Sequence, residues 1–310
     1  MKKIYILHDN NAWMIPIRKS FNLKNVPMEE WHINNISSLD LSKKPPEGIF
    51  LNRMSPSANS RGYKNSIEYT LSIISWLDTN NRKVINGYDS WKLEISKLDQ
   101  YHALRKVGIK TPKTIAVVNK CDLNNAAKIV GFPFIIKYNC GGSGLGVKLI
   151  NDKSDLRKVG NDYFSKAIGG IVLAQEFIRS KEPFIYRYEF IGGQLIYTVK
   201  INTNNGFELC PADSCSLDGK YCPTNLLADD DRFNIIPLYE DNDIVKKYKK
   251  FLGTNNIEIG GIEMIYDEID NAYTYDINAN TNYNVRAESI ARISANNYLV
   301  DYLSRLLKKI

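Results

Sequence analysis

The chain has 310 residues, 44% of them hydrophobic, and a formal net charge of +7, so it can build one large core or two to three small ones. It contains no run of about 18 apolar residues, and its short apolar start predicts a first β-strand in preference to a secretory signal, so we expect no membrane association. The basic residues are scattered without an RNA- or DNA-binding pattern, so we expect no nucleic-acid partner; a nucleotide or a small acid would explain the positive excess equally well.

The N-terminal part of the chain predicts a small open α/β domain. Short apolar runs at 4–7, 48–51 and 83–86, bounded by turn residues, are typical of buried parallel strands. Between 66 and 78, apolar residues recur at helical spacing. Strands that alternate with helices indicate an open α/β sheet, and we place this domain at residues 1–93.

After residue 93 the pattern changes to helices against antiparallel strands. Ser96, followed by Asp99 three residues later, predicts a helix start with Lys97 in its first turn. Gly108 then predicts the helix end. The elements expected next are a strand, a helix and a hairpin around a glycine loop, at 114–118, 122–131, and 134–138 with 147–150.

The last third of the chain predicts more antiparallel strands. Segments 183–190 and 194–201 are joined by Gly192-Gly193, a strong hairpin signal. Segments 261–266 and 272–278 bracket an acidic turn. One closing helix is expected from Ala287 to Leu307, and its inward face is formed by Ile290, Ile293, Leu299 and Leu303.

The glycine loop from Cys140 to Gly146 is the clearest local signal. Its glycines let backbone N–H groups turn toward an anion without side-chain obstruction. It lacks the lysine of a P-loop and the following helix of a Rossmann fingerprint, and an ordinary flexible hairpin loop is the alternative. Lys137 favours the anion site, because a lysine in an apolar strand is costly to bury without an anionic partner.

Glu263, Asp276 and Asn278 are the metal candidates. Side chains two apart on a strand share a face, so Asp276 and Asn278 project together, with Glu263 on the strand expected alongside. Two carboxylates and an amide oxygen are hard ligands suited to magnesium. The alternative is an exposed polar strand face.

Cysteines and histidines predict no further centre. The five cysteines form no CxxC pair, which favours a reducing, cytoplasmic location. Cys210, Cys215 and Cys222 match no standard zinc site, and reduced structural cysteines are the better interpretation. The histidines are spread along the chain, which argues against a histidine-based hydrolase.

The order of these motifs resembles the ATP-grasp superfamily, most closely its RimK-like branch of amino-acid ligases. The motifs that carry the resemblance are SKLDQYHALRKVGIKTP, PFIIKYNCGGSGLGV, LAQEFI, GIEMI and YDINAN. The resemblance implies a mixed α/β (α+β) ATP-grasp fold. It has an N-terminal pre-ATP-grasp domain at 1–93, a central subdomain with the glycine loop at 94–178, and a C-terminal subdomain with the metal site at 179–310.

The resemblance also implies an activity. An ATP-dependent carboxylate–amine ligase would form an amide or peptide bond through an acyl phosphate, releasing ADP and phosphate. It would use ATP with one or two Mg²⁺ ions, Mn²⁺ being an alternative. The acid and amine would be small molecules or a peptide or protein tail, and the oligomeric state, including a homo-oligomer, is left open. The alternative is a catalytically inactive ATP-binding module for regulation or assembly.

The resemblance also implies a role for each site residue along the ATP molecule. Lys97 and Lys137 would hold the α- and β-phosphates, and Arg187 would stabilise the acyl phosphate. The remaining assignments are the loop over the β- and γ-phosphates (Gly141, Gly142, Ser143, Gly144, Gly146), the adenine contacts (Glu176, Phe177, Ile178), the ribose contact (Glu182), the metal ligands (Glu263, Asp276, Asn278) and two substrate-side guesses (Lys200, Arg286).

The chain departs from the family pattern at the substrate end. Asp276 stands where the family usually has glutamate, and Ala279–Asn284 replaces the common proline-glycine turn. These differences bear on the identity of the acid and the amine more than on the ATP site.

Overall fold

The N-terminal strands form a parallel sheet. The computed structural model describes residues 2–36, 38–142, 144–203, 232–236 and 242–310. The sheet has the order β2-β1-β3-β4. Its strands and accompanying helices are β1 (Lys3–His8), α1 (Asn11–Leu23), β2 (Met28–His32), β3 (Gly48–Asn52), α2 (Ser66–Thr79), β4 (Lys83–Ile85) and α3 (Tyr88–Glu94). The sequence missed β2 because its residues, MEEWH, contain no apolar run.

The position of β1 and β3 at the middle of this sheet matters for binding. The connection from β1 leads outward to β2, whereas the connection from β3 leads to β4 on the other side. In such open sheets, ligands bind beyond the carboxyl ends of the two central strands. Here those ends lead into Asp9 and Arg53.

The second sheet is antiparallel, with the order β5-β8-β6-β7. It carries the glycine loop between two neighbouring strands, as expected. Its elements are α4 (Lys97–Lys106), β5 (Thr114–Val117), α5 (Lys120–Val130), β6 (Phe134–Tyr138), β7 (Lys148–Ile150), α6 (Lys153–Lys158), α7 (Asn161–Ser165) and β8 (Val172–Glu176).

The third sheet is also antiparallel, with the order β11-β10-β9-β12-β13. Its strands and helices are β9 (Phe184–Ile191), β10 (Gln194–Asn202), β11 (Phe233–Ile236), α8 (Asp243–Thr254), β12 (Ile259–Tyr266), β13 (Ala272–Asn278), α9 (Val285–Ala291) and α10 (Ala295–Leu307). None of the described helices combines the length and the apolar character needed to cross a bilayer.

The predicted helix start at Lys97 is confirmed in detail. The Ser96 hydroxyl accepts a hydrogen bond from the Asp99 amide at 3.2 Å, which satisfies one of the free N–H groups of the first turn. This cap fixes where α4 begins, and it therefore fixes the place of Lys97.

The prediction of a single closing helix is wrong. Arg292 has a left-handed backbone (φ 56°) that ends α9, and the Ser294 hydroxyl caps α10 by accepting from the Asn297 amide at 3.3 Å. Leu299 and Leu303 are buried as expected, but Ile290 lies on the short first helix and is 71% exposed. The break changes the face that α9 presents, because helical periodicity does not continue through a left-handed residue.

The helix α10 joins the first and third sheets. Its Leu299 and Leu303 share one apolar cluster with Ile4 and Ile6 of β1 and with Ile201 of β10. The second sheet packs its inner face on α5 and α6 in a separate cluster, which includes Phe134. A cavity opens between these parts.

Candidate functional site

Residues of the second and third sheets, together with residues outside the strands of the first sheet, line one cavity of about 740 Å³. Most of the predicted site residues are among those that line it. These are Lys97, Lys137, Gly141, Gly142, Gly144, Glu176, Phe177, Ile178, Glu182, Arg187, Glu263, Asp276 and Asn278. The chain thus brings together residues that are widely separated in sequence.

Three predicted residues, Gly146, Lys200 and Arg286, are not among the residues that line the cavity. Ser143 lies outside the described residues, as do Cys210, Cys215 and Cys222.

Two of these residues have identifiable neighbours. A Cβ on Gly146 would lie 2.3 Å from Cε2 of Tyr138, so this glycine is needed for packing under the loop. The Lys200 ammonium lies 3.9 Å from the centre of the Phe184 ring and 3.3 Å from Oε2 of Glu182.

The floor of the cavity is a row of charges across three adjacent strands. Arg187 on β9 is the register partner of Glu263 on β12, and Glu263 is the register partner of Asp276 on β13. The Arg187 guanidinium donates to Oε1 of Glu263 and to Oε1 of Glu189, both at 2.6 Å. It also donates to the Thr281 hydroxyl at 2.6 Å. This network fixes the guanidinium inside the site.

The backbone beneath Arg187 comes very close. A Cβ on Gly261 would lie 2.7 Å from Nη2 and 3.0 Å from Cζ of the guanidinium. The guanidinium therefore lies against β12 at a position where a side chain would displace it.

The two lysines of the cavity differ in their partners. Lys97 forms an ion pair with Asp276. Burial alone would lower its pKa, but the Asp276 carboxylate outweighs burial and raises the pKa of Lys97 above its ordinary value.

Lys137 forms no ion pair within the described part of the chain and is 7% exposed. Burial and the nearby charge of Lys97 lower its pKa to about 7. An anion beside Lys137 would restore its charge, as the phosphates of a nucleotide would.

One end of the cavity is held by Gln175 and Glu176. The Gln175 amide donates to the Tyr101 hydroxyl at 2.9 Å and to the Thr114 hydroxyl at 2.8 Å. The Glu176 carboxylate accepts from the Lys113 amide at 3.0 Å. These bonds fix the end of β8, from which the chain continues along the cavity through Phe177 and Ile178.

The sequence comparison and the structural comparison both identify similarity to ATP-grasp proteins. Residues 95–209 match the family model of the RimK-like ATP-grasp domain. Over these residues the chain is similar to a RimK-like ATP-grasp domain. A RimK domain ATP-grasp protein from Sphaerobacter thermophilus DSM 20745 superposes with a TM-score of 0.68 at 12% identity, covering 97% of this chain and 98% of that one.

A second ATP-grasp neighbour has been solved with ligands. The ATP-grasp ligase PsnB, complexed with a phosphomimetic variant of its minimal precursor, Mg and ADP, has a TM-score of 0.69 at 14% identity, with 98% of each chain covered. At these identities the likeness shows the ATP-grasp fold.

The curated relatives match over shorter segments. The D-alanine–D-alanine ligase of Anaplasma centrale is 31% identical over 91 residues, which are 29% of this chain and 42% of that enzyme. The chain thus spans less than half the length of the curated relatives it matches.

The donor set on β12 and β13 fits magnesium. Glu263 and Asp276 place two carboxylates side by side, and burial raises the pKa of Glu263 against the opposing effect of Arg187. Adjacent buried carboxylates favour a cation between them. The described residues hold no cluster of three or more His, Cys, Asp or Glu side chains that would suit a metal. The candidate set is therefore these two carboxylates and the Asn278 amide, all with hard oxygen atoms.

Sequence reasoning missed Glu94, at the end of α3. Its carboxylate accepts a hydrogen bond from the Ala279 amide at 2.6 Å and lines the cavity. Burial raises the pKa of Glu94 to about 7, and the charge of Asp276 adds to this. No local motif marks this glutamate, because its partner is far away in sequence.

The N-terminal sheet also contributes residues that the sequence did not reveal. Trp13 and Ser55 line the cavity. A Cβ on Gly142 would lie 3.7 Å from the Ser55 hydroxyl, so the glycine loop approaches the segment that follows β3. These contacts place the carboxyl edge of the first sheet at the same cavity as the ATP-grasp residues.

Proposed function

We propose that this protein is an ATP-dependent carboxylate–amine ligase that forms an amide bond through an acyl phosphate and releases ADP and phosphate. The observation that carries the proposal is the single cavity, in which two lysines, a glycine loop and a row of arginine and carboxylate side chains converge. A phosphoryl-transfer site requires these components.

The nucleotide is held along the second sheet. The backbone and side chains at Glu176, Phe177 and Ile178 would contact the adenine, and Glu182 the ribose. Lys97 and Lys137 would contact the α- and β-phosphates, and the loop around Gly141–Gly144 would cover the β- and γ-phosphates. Lys137 is buried and lacks an anionic partner among the described residues. A phosphate would supply that anion, which favours these contacts.

Glu263, Asp276 and Asn278 would hold Mg²⁺ at the third sheet. When bound, the ion offsets negative charge on the phosphates during transfer. Asp276 would then shift its interaction with Lys97, which leaves the ammonium available to the phosphates. Asp276 is shorter by one methylene than the glutamate usual in the family, and its register partner on β12 is Glu263.

The chemical steps balance without a protein nucleophile. A carboxylate oxygen of the acid attacks the γ-phosphorus, the bond to the bridging oxygen breaks, and ADP leaves. The amine nitrogen then attacks the acyl carbon and loses a proton, and phosphate leaves as the amide forms. Arg187, fixed by Glu189 and Glu263, would stabilise the negative charge that develops in both steps.

The acid or the amine can belong to a peptide. Several structural neighbours were solved with precursor peptides, among them the ATP-grasp ligase PsnB and the macrocyclase MdnC. A small free acid is the other candidate, since the neighbour DcsG is a D-cycloserine synthetase. We propose a peptide or small-molecule carboxylate as the acid, and the two are separated by the substrate panel below.

The test measures ADP release and acyl phosphate together. Wild-type protein is incubated with ATP, Mg²⁺, hydroxylamine and a panel of amino acids, dicarboxylates and short acidic peptides, and the hydroxamate is quantified. Lys137→Ala and Asp276→Ala should each lower both products by about 100-fold or more. The matched controls are Lys148→Ala and Asp162→Ala, which alter exposed residues. They should leave both rates unchanged.

The result also separates the alternatives. A ligase releases ADP together with hydroxamate. Nucleotide binding without either product, for every acid in the panel, would indicate an inactive nucleotide-binding module. ADP release unaffected by Lys137→Ala and Asp276→Ala would contradict the proposed site.

A further inference from the structure

One buried cation beside the cavity forms no ion pair in the part of the chain that the structure describes. Arg53 follows β3 and is 5% exposed. Its guanidinium donates to two neutral acceptors, the Thr281 carbonyl and Oδ1 of Asn282, each at 2.8 Å. A buried charge is costly unless an opposite charge compensates it. Burial also lowers its pKa, although an arginine remains charged.

The carboxylates that act on Arg53 at a distance are held by other donors. Asp9 is bonded to Arg61, Glu94 to the Ala279 amide, and Glu189 to Arg187. The positive potential of Arg53 is therefore only partly offset within the protein.

Two asparagines stand between Arg53 and the cavity. Both Asn280 and Asn282 line it. Asn280 donates to the Arg53 carbonyl at 2.7 Å, and its own Oδ1 is buried without a hydrogen-bond partner. Asn282 accepts from Arg53 through Oδ1, which leaves its amide nitrogen as a donor for a ligand.

Ser55, Asn280 and Asn282 form one wall of the cavity. The position of this wall suits an acid that meets the γ-phosphate. Ser55 lines the cavity two residues after Arg53 and approaches Gly142 of the glycine loop. The wall also lies beyond the carboxyl ends of β1 and β3, where open parallel sheets bind ligands.

We propose that Asn282, together with Ser55 and Asn280, forms the subsite for the carboxylate of the acid substrate, and that Arg53 is the positioning residue that orients Asn282 and supplies the positive potential. This inference rests on the proposed ligase function and adds the residues that recognise the acid as an anion. A neutral amide in the same place would gain less from the charge of Arg53 than a carboxylate would.

The decisive variant is Asn282→Asp. The new carboxylate would pair with Arg53, so the fold is kept, but it would cancel the positive potential and repel an anion. The matched control is Asn284→Asp, which adds the same charge two residues away. Asn284 caps α9 by accepting from the Ala287 amide, a role that aspartate performs equally well.

The probe is ¹³C-labelled acetate, the minimal carboxylate, so the identity of the acid is not needed. Its NMR line is measured with each protein in the presence of Mg²⁺ and AMPPNP, whose own binding is measured by calorimetry. Wild type and Asn284→Asp should broaden the acetate line, and Asn282→Asp should weaken acetate binding by about tenfold or more. AMPPNP affinity should be the same for all three proteins.

A second series separates recognition from a structural role. Arg53→Lys should retain part of the acetate binding, whereas Arg53→Gln should lose it at unchanged AMPPNP affinity. With any acid that yields hydroxamate, Asn282→Asp should raise the KM of the acid and leave the KM of ATP unchanged.

The outcomes distinguish this inference from the ligase proposal. Failure of wild type to bind AMPPNP would reject the nucleotide site itself. If wild type binds AMPPNP but does not broaden the acetate line, the carboxylate subsite alone is overturned. The same holds if the broadening is equal in wild type and Asn282→Asp.

Discussion

The floor and the roof of the cavity differ in how their buried cations are compensated. On the floor, formed by β9, β12 and β13, Arg187 is paired with Glu189 and Glu263. On the roof, Lys137 of β6 is equally buried and is paired with no carboxylate of the described chain. The floor is thus compensated by the protein itself, whereas the roof depends on a ligand for its compensation. Removing a charge should therefore destabilise one surface and stabilise the other.

The largest expected effect breaks the floor. Arg187→Met would leave Glu189 and Glu263 buried without their shared cation, and we expect the free energy of unfolding to fall by about 3–5 kcal/mol. Urea unfolding followed by circular dichroism measures it, with Arg157→Met on the exposed face of α6 as the control. A loss below about 1 kcal/mol would mean that the floor is not held by this network.

The corresponding change on the roof should have the opposite sign. Lys137→Met removes a cation whose pKa burial lowers to about 7, so the free energy of unfolding near pH 6 should rise, by on the order of 2 kcal/mol. The same variant should bind ATP about 100-fold more weakly, since a charged hydrogen bond is lost. Thermal unfolding and calorimetry measure the two effects, and a variant that is both less stable and unchanged in ATP affinity would remove the contrast.

Glu94, at the edge of the floor, should make the stability of the protein depend on pH. Its pKa in the folded state, about 7, is raised above the ordinary value of 4.5. The folded protein therefore binds more protons than the unfolded chain between these values. Stability from this group is present below about pH 4.5 and is lost as the pH rises through 7.

Glu94→Gln should remove this dependence. Wild type should lose about 1–3 kcal/mol between pH 5 and pH 8 that the variant does not lose. Urea midpoints at the two pH values measure the difference, and parallel pH profiles for both proteins would show that Glu94 is not protonated in the folded state.

The smallest expected effect is a proton taken up on nucleotide binding. Because burial and Lys97 lower the pKa of Lys137 to about 7, the lysine is largely neutral at pH 8. Phosphates beside it would raise its pKa, so ATP binding at pH 8 should take up a fraction of a proton. Calorimetry in buffers of different ionisation enthalpy detects this uptake. It should disappear in Lys137→Met, and uptake that persists there would assign the proton to another group.

The sequence located those site residues that are marked by local chemistry. The cap at Ser96, the lysine inside an apolar strand and the alternation of Asp276 and Asn278 each follow from a short segment and a known geometry. Their convergence came from the resemblance to the ATP-grasp family, whose motif order implied one nucleotide site.

The residues that sequence reasoning missed depend on distant partners. Glu94 meets Ala279, and Arg53 meets Asn282, through contacts that no periodicity encodes. Both contacts join the N-terminal part of the chain to the segment that follows β13. The break at Arg292 was missed for another reason, since one left-handed residue interrupts a helix without altering its apolar spacing.

The contact between Gly261 and Arg187 turns a backbone position into a determinant of mutational tolerance. Because even a methyl group would meet the guanidinium within van der Waals distance, a saturation library at this codon should return glycine alone among active clones. The first residue of GIEMI is then as selective a marker of this cavity as the glutamate two residues later.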